Sequence, residues 1–310
     1  LSSAHPDVVK SMVLTEVTFE LQNDKEGALS QYMIYDLSRV GDWLWNSIAP
    51  DILKLLRTYP PKGIARLQHM VDIVSASNLP DASLAALAAE KMTGGDPKHL
   101  ALWAAVWTGV DPDAAIDAVE RHLARLGVAK KCTVFIMTYV TYLLGGQHMS
   151  SCVRQAFRTP AVLKRLYILV HEHVRSGEDV KRENTGVYSP GLRDNAQDAR
   201  ERLVNFLSEI PGRDAYLALN EIAENHPEPS ARPWFLIRAR TKAEVDSERP
   251  AWTAMQVSQF EKEYERMPAN HRELFDLAVL RLLDYKHHLE DGNDSTASVV
   301  IKAERETELR

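Results

Sequence analysis

Histidines near the middle of the chain are the first candidates for metal or acid–base chemistry. His171 and His173 flank Glu172, and imidazole and carboxylate groups are common zinc ligands. On one helix, residues i and i+2 lie about 200° apart, so the two imidazoles cannot face a single ion. If the helix has ended by this point, Cys152 or Glu178 could complete a site. The spacing is not that of an HExxH zinc motif, and we predict no metal site here.

Three further patterns resemble catalytic signatures without meeting their requirements. Asp276, Asp284 and Lys286 follow the D…DxK order of metal-dependent nucleases, but they lie in a helical pattern that predicts a surface row of ion pairs. The segment 94–98 combines glycines with a lysine, yet it lacks the residue order and the preceding strand of a phosphate-binding loop. No GxSxG, GxGxxG or cysteine–histidine nucleophile motif occurs. The sequence therefore predicts a non-enzymatic protein that needs no cofactor.

The longest interruption of the helical pattern lies between residues 171 and 202. A charged stretch at 175–183 leads into turn-forming residues, which are Thr185, Gly186, Ser189, Pro190 and Gly191. Most connections in compact domains take about four to six residues, so a break of this length is functional, disordered or a linker.

The side chains in this break are typical of recognition surfaces. Tyr188 offers a large rigid contact area, and Arg182 and Arg193 can form bidentate pairs with carboxylates. We predict that the loop 181–193 is partly ordered and contacts a partner through these three residues. Two other interpretations remain: a solvated, self-paired loop, or a loop whose Tyr188 packs back on the helix containing Leu169.

Composition limits the remaining function classes. The chain has 310 residues, a hydrophobic content of 45% and a formal net charge of −6, which argues against a general affinity for nucleic acid. No apolar run approaches the roughly 18 residues of a membrane span, and the first residues form no apolar leader. Two cysteines do not make a disulfide framework and favour a reducing, cytoplasmic location. The absence of an initiator methionine suggests a piece of a longer protein.

Helical signals recur along the whole chain. Aspartate or threonine followed by proline marks three helix starts, at Asp96, Asp111 and Thr159, because the first residue can cap and proline suits the first helical position. The segment from Val134 to Leu144 is apolar nearly all round, so we expect it to be the most buried helix. No strand-like alternation with hairpin turns appears, and the sequence predicts an all-α protein.

Helices of about 10 to 18 residues joined by short corners are typical of an α-solenoid. We predict an array of antiparallel helix pairs that resemble degenerate HEAT repeats, with a single helical bundle as the less favoured alternative. The predicted organisation is an N-terminal array at 1–176, the long loop at 177–193 and a C-terminal array at 194–310, in one continuous superhelix.

Several runs resemble a known class of helical repeats. They are NTGVYSPGLRDNAQDARERLVNFLSEIPGRDAYLALNEIAENHPEP at 184–229, RPWF at 232–235 and HRELFDLAVLRLLD at 271–284. This chain resembles the helical-repeat region of large bacterial proteins that also carry a NACHT-type or related STAND P-loop NTPase. The resemblance implies a sensor or scaffold role in antiviral defence. Some of these proteins also end in a nuclease-like domain. This sequence contains neither the NTPase motifs nor the nuclease residues, so the resemblance implies neither activity for this chain.

The expected function is therefore recognition. We expect a non-enzymatic helical scaffold or sensor segment that binds a protein partner or another domain of its parent protein. The main alternative is a helical-repeat module that binds nucleic acid, and a third is an enzyme whose site follows no recognised motif. We expect no membrane contact.

Overall fold

The computed structural model describes residues 6–24, 32–146, 151, 153–180, 191–248 and 262–277. These residues contain helices, turns and irregular segments but no β-strand, which confirms the predicted all-α class. The chain divides into two compact units, residues 1–249 and 250–310. In the second unit, residues 262–266 and 269–277 are helical.

The first unit is built from α-helices joined by short connections. They are α1 (Pro6–Gln22), α2 (Met33–Val40), α3 (Asp42–Thr58), α4 (Ile64–Ala76), α5 (Asp81–Gly94), α6 (Leu100–Thr108), α7 (Pro112–Leu126), α8 (Ala129–Leu144), α9 (Pro160–His173), α10 (Leu192–Glu209), α11 (Arg213–Asn225) and α12 (Arg232–Glu248). Single 3₁₀ turns lie at Pro97–His99, Ser176–Glu178 and Pro229–Ala231.

The three proline-marked helix starts are confirmed, with one local difference. Pro112 and Pro160 are the first residues of α7 and α9. Pro97 instead begins the 3₁₀ turn before α6, and the Asp96 carboxylate accepts a hydrogen bond of 2.9 Å from the Lys98 amide. The aspartate cap is therefore present, but it closes a 3₁₀ turn that precedes the α-helix.

The packing order of the helices follows the order of the chain. The most extensive contacts in the first unit join helices one or two positions apart: α6 packs on α5, α7 and α8, and α10 packs on α8 and α9. Contacts between near neighbours along the chain are what a helical-repeat arrangement produces. The HEAT-like, antiparallel nature of the pairs stays a prediction.

The most buried helix is α6, so the expectation for Val134 to Leu144 was wrong. Seven of the nine residues of α6 are buried, whereas Val134 in α8 is 46% exposed. The reason lies in the threonines of α8. Thr133 and Thr138 donate hydrogen bonds to carbonyls one turn earlier in their own helix, so their hydroxyls are satisfied without a partner from another helix and can lie on the outward side beside Val134.

The inward face of α8 is fixed by a buried hydrogen bond to α6. The Tyr139 side chain is fully buried, and its hydroxyl lies 2.8 Å from the Thr108 hydroxyl, which also bonds the Ala104 carbonyl. Burial raises the pKa of Tyr139, so the phenol stays protonated and can serve as a donor.

The helices on both sides of the long loop belong to the same compact unit. After the loop, α10 returns to pack on α8 and α9, and α11 packs on α9. Ala196, Ala199, Leu203 and Leu207 form the buried face of α10, at spacings that place them on one side of a helix.

Candidate functional site

Of the three residues that the sequence indicated for partner binding, only Arg193 lies among the residues that the structure describes. Arg182 and Tyr188 lie outside the described residues, since description stops at Val180 and resumes at Gly191. Arg193 is the second residue of α10. The described part of the site is therefore the stem of the loop: residues 174–180 on one side and the first turns of α10 on the other.

Arg193 is held by its own chain. Its side chain is only 16% exposed and lies 3.2 Å from both a Glu178 and an Asp179 carboxylate oxygen. It also donates a hydrogen bond to the Arg175 carbonyl. The carboxylate pairing that the sequence suggested for Arg193 is thus present, but within the stem. Arg193 joins α10 to the 3₁₀ turn before the loop.

Arg200 lies two turns further along α10 and closes the end of α9. One guanidinium nitrogen donates to the Val174 carbonyl at 2.8 Å and lies 3.4 Å from His171 Nδ1. The other pairs with the Asp179 carboxylate. A buried arginine requires a partner charge, and Asp179 supplies it to Arg200 and Arg193 together. Asp179 is the central residue of the stem.

A second carboxylate reaches the same stem from the other side. Glu228 lies just after α11, and one of its oxygens accepts a 3.0 Å hydrogen bond from the Ser176 amide while the other accepts from the Ser176 hydroxyl. Burial acts to raise the pKa of Glu228, but the two Ser176 bonds outweigh it and hold the pKa below its usual value. Glu228 is ionised and fixes the 3₁₀ turn against α11.

Two histidine rings lie against each other next to the stem: His171 near the end of α9 and His226 directly after α11. The rings of His171 and His226 have centroids 4.4 Å apart, and Tyr167 and Phe235 pack around His226. The Glu228 amide lies 3.0 Å from His226 Nδ1, and the Tyr167 hydroxyl lies 2.9 Å from Nε2. The Glu228 carbonyl also lies 3.0 Å from Nδ1, so the Glu228 backbone and the Tyr167 hydroxyl together hold the imidazole ring in place.

Both imidazoles are neutral at physiological pH. Burial lowers the pKa of His171, and the neighbouring His226 and Arg200 lower it further. Burial also lowers the pKa of His226, although Glu228 acts in the opposite direction. We use the name stem network for a set of charged and aromatic residues. The set contains His171, Asp179, Arg193, Arg200 and Glu228 and the ring neighbours Tyr167, His226 and Phe235.

Two residues of the stem network were indicated by the sequence, but for other roles: His171 as a possible metal ligand and Arg193 as a partner-binding residue. His171 was singled out beside His173, but its ring neighbour is His226, which follows in another helix pair. Asp179 lies in the charged stretch 175–183, and the sequence indicated no individual role for it. The signal that could have found the network is the spacing of Arg193 and Arg200, which places both on one face of α10.

The stem network is suited to holding a segment in place. Its ionisable groups are paired with one another, and His171 is only 2% exposed. Among the described residues, no group of three histidine, cysteine or acidic side chains is arranged to hold a metal ion. In the same part of the chain, no helix has the length and apolar character needed to cross a bilayer.

In comparisons with known proteins, no family model, curated protein or solved structure matches this chain.

Proposed function

We propose that this chain is a non-enzymatic helical scaffold or sensor segment that recognises a protein partner or another domain of its parent protein. The segment 181–193 is the contact element, and Arg182 and Tyr188 are its binding residues. The observation that carries the proposal is the stem network. Arg193, Arg200 and Asp179 tie both ends of the segment 181–190 to one point of the helical unit.

This arrangement supports recognition because a loop held at both ends presents its residues at a defined place. Binding residues are disproportionately found on loops that a rigid scaffold positions. The ends here are fixed by charge pairs and by Gln197, whose amide donates to the Val180 carbonyl at 3.4 Å. Holding the ends reduces the conformational entropy that a partner would otherwise have to remove.

The roles within the segment differ. Arg182 and Tyr188 stay candidates for direct contact with the partner. Arg193 is a positioning residue, because its guanidinium is engaged with Glu178 and Asp179. This division separates binding from stability in a mutational test.

The resemblance to helical-repeat regions of bacterial NACHT and STAND proteins supports a role in antiviral defence. In that setting the partner is a foreign protein that acts as trigger or another part of the parent chain. The low cysteine content supports a reducing, cytoplasmic setting, and Cys132 is a buried free thiol.

The test compares a loop variant with a matched surface variant. Proteins that co-purify with the full chain are identified by mass spectrometry, and the best candidate is purified and titrated by calorimetry. Arg182→Ala/Tyr188→Ala should weaken binding at least about tenfold and shift the melting temperature by no more than about 3 °C. Tyr59→Ala, at a 37% exposed tyrosine on another connection, should bind as the unmodified protein does.

Two results would contradict the proposal. Binding that survives in the double variant while the melting temperature drops steeply would show that the loop is structural. Strong binding to duplex or single-stranded DNA with a steep salt dependence would favour the nucleic-acid module, because neutralised phosphates release counterions.

A further inference from the structure

An open apolar groove lies on a different part of the first unit from the loop stem. It has a volume of about 560 Å³ and is lined by the start of α6, the end of α7 and the first half of α8. Its walls include Leu100, Leu126, Val134 and Phe135. None of these belongs to the stem network.

The groove runs along two turns of α8. Lys131, Val134, Phe135 and Thr138 line it at the i, i+3, i+4 and i+7 positions, which cover about 10 Å of helix. Val134 is 46% exposed and Val128 at the groove edge is 49% exposed. A strip of this length and spacing matches the apolar face of a short helix laid into the groove.

The rim of the groove is positive. Lys98, Lys130 and Lys131 line it, and none of the described lining residues is acidic. Lys130 and Lys131 form no ion pair with the part of the chain that the structure describes. The first turn of α8 also contains no acidic residue, although the positive end of a helix favours anions and disfavours lysines.

The positive charge of Lys130 and Lys131 therefore has no acidic partner among the described residues, in a chain whose formal net charge is −6. His122 does not add to it. The ring of His122 packs against Phe135 with centroids 4.6 Å apart, and burial lowers its pKa. The lysines supply the charge, and the floor beneath them is apolar.

We propose that this groove docks an amphipathic helix of a partner protein, with apolar residues facing Val134 and Phe135 and acidic residues beside Lys130 and Lys131. A helix of this kind satisfies both properties of the groove at once. A nucleic-acid backbone would neutralise the lysines but leave the apolar floor uncovered. The contact is small, so we expect the micromolar affinity of a transient interface.

The test uses a defined peptide pair on the full chain. The acidic peptide is a fluorescent helix of about 16 residues with leucines at i, i+3, i+4 and i+7 and glutamates flanking them; the basic peptide replaces each glutamate by lysine. Fluorescence anisotropy measures the dissociation constants. The acidic peptide should bind at least about tenfold more tightly than the basic one.

Variants of exposed residues locate the contact without disturbing the core. Lys130→Glu/Lys131→Glu should reverse the preference between the two peptides, and Val134→Asp should weaken the acidic peptide at least about fivefold. Matched controls on other surfaces are Lys54→Glu and Val40→Asp, the latter at a 72% exposed valine. Both controls should bind the acidic peptide as the unmodified chain does.

Each opposite result overturns the proposal. It fails if the acidic peptide does not bind up to about 1 mM, if both peptides bind alike, or if the controls weaken binding as much as the groove variants. It also fails if a DNA duplex of about 20 base pairs displaces the acidic peptide with a steep salt dependence, which would identify a phosphate-binding surface. None of these results depends on Arg182 or Tyr188, so the groove and the loop are tested separately.

Discussion

The buried histidine pair illustrates how single residues in this chain depend on protonation. His171 and His226 have centroids 4.4 Å apart, and a proton added to either must enter a site that already faces the Arg200 guanidinium. Glu228 offers partial compensation, since its carboxylate lies 3.8 Å from His171 Nε2.

Part of the pH dependence of stability should follow from this pair, beside contributions from His69, His122 and His173, whose pKa values burial also lowers. Both folded-state pKa values lie below the ordinary histidine value of about 6.5, so the unfolded chain binds more protons in this range. Stability is therefore fully present above about pH 6.5 and is lost as the pH falls towards the folded-state pKa values. Each histidine contributes at most about 1.4 kcal/mol per pH unit.

Urea titrations at several pH values between about 5.5 and 8 measure this slope. The pKa of Glu228 lies below its usual acidic range, so its carboxylate stays ionised throughout this window. His171→Gln/His226→Gln should flatten the slope, and comparison at pH 8, where both histidines are neutral, controls for lost contacts. An unchanged slope in the double variant would show that other groups cause the pH dependence.

At the scale of helices, arginines from distant parts of the chain close the ends that local residues leave open. The last carbonyls of a helix have no partner within it. Arg154 donates to the Ser75 and Ser77 carbonyls at the end of α4, at 3.0 and 2.6 Å. Arg202 donates to the Leu144 and Gly145 carbonyls at the end of α8, at 2.9 and 3.1 Å.

The helix starts could be predicted from the sequence and these helix ends could not. The starts are marked by neighbouring residues in the chain, whereas the ends are closed by residues that are distant in the chain. A proline suits the first helical position, so Pro112 and Pro160 mark the starts of α7 and α9 locally, although the Asp111 and Thr159 side chains form no capping hydrogen bond. Arg154 acts on the Ser77 carbonyl, 77 residues earlier, and nothing local marks this contact. The position of α6 at the centre was also missed, because burial depends on which helices surround it and not only on its own apolar content.

Substitutions at Arg154 should show the strength of these caps. Its guanidinium also pairs with Asp81, so Arg154→Ala leaves two carbonyls and a carboxylate without their partner. We expect a loss of about 2–3 kcal/mol in the free energy of unfolding, measured by urea denaturation. Arg154→Lys should recover only part of the lost stability. The lysine ammonium group keeps the positive charge, but it cannot reproduce the planar, forked arrangement of donors in the guanidinium group.

The matched control for Arg154 is Arg213→Ala, at an exposed arginine in the first turn of α11, which should change stability by less than about 0.5 kcal/mol. Equal effects at both positions would mean that the inter-helix cap contributes nothing measurable.

At the scale of the whole chain, the helices before and after the segment 181–190 pack against one another within the first unit. The all-α class and most helices followed from periodicity and proline-marked corners. The predicted division at 176 and 194 followed from local composition alone, which contains no information about which helices pack together. In the structure α10 lies against α8 and α9, and Arg193 and Arg200 bridge the two sides of the loop.

Cleavage within the loop should therefore leave the protein associated. A protease recognition sequence inserted between Asn184 and Thr185 allows one cut after purification. The two fragments should elute together from a sizing column at neutral pH, because Leu203 and Leu207 of α10 are at most 1% exposed and separation would bring that apolar face into water. In concentrated urea, the same cleaved sample should separate, which shows that the cut is complete. Two species eluting apart without denaturant would instead mean that the segments before and after the loop are independent domains, and that the salt bridges of the stem are too weak to join them.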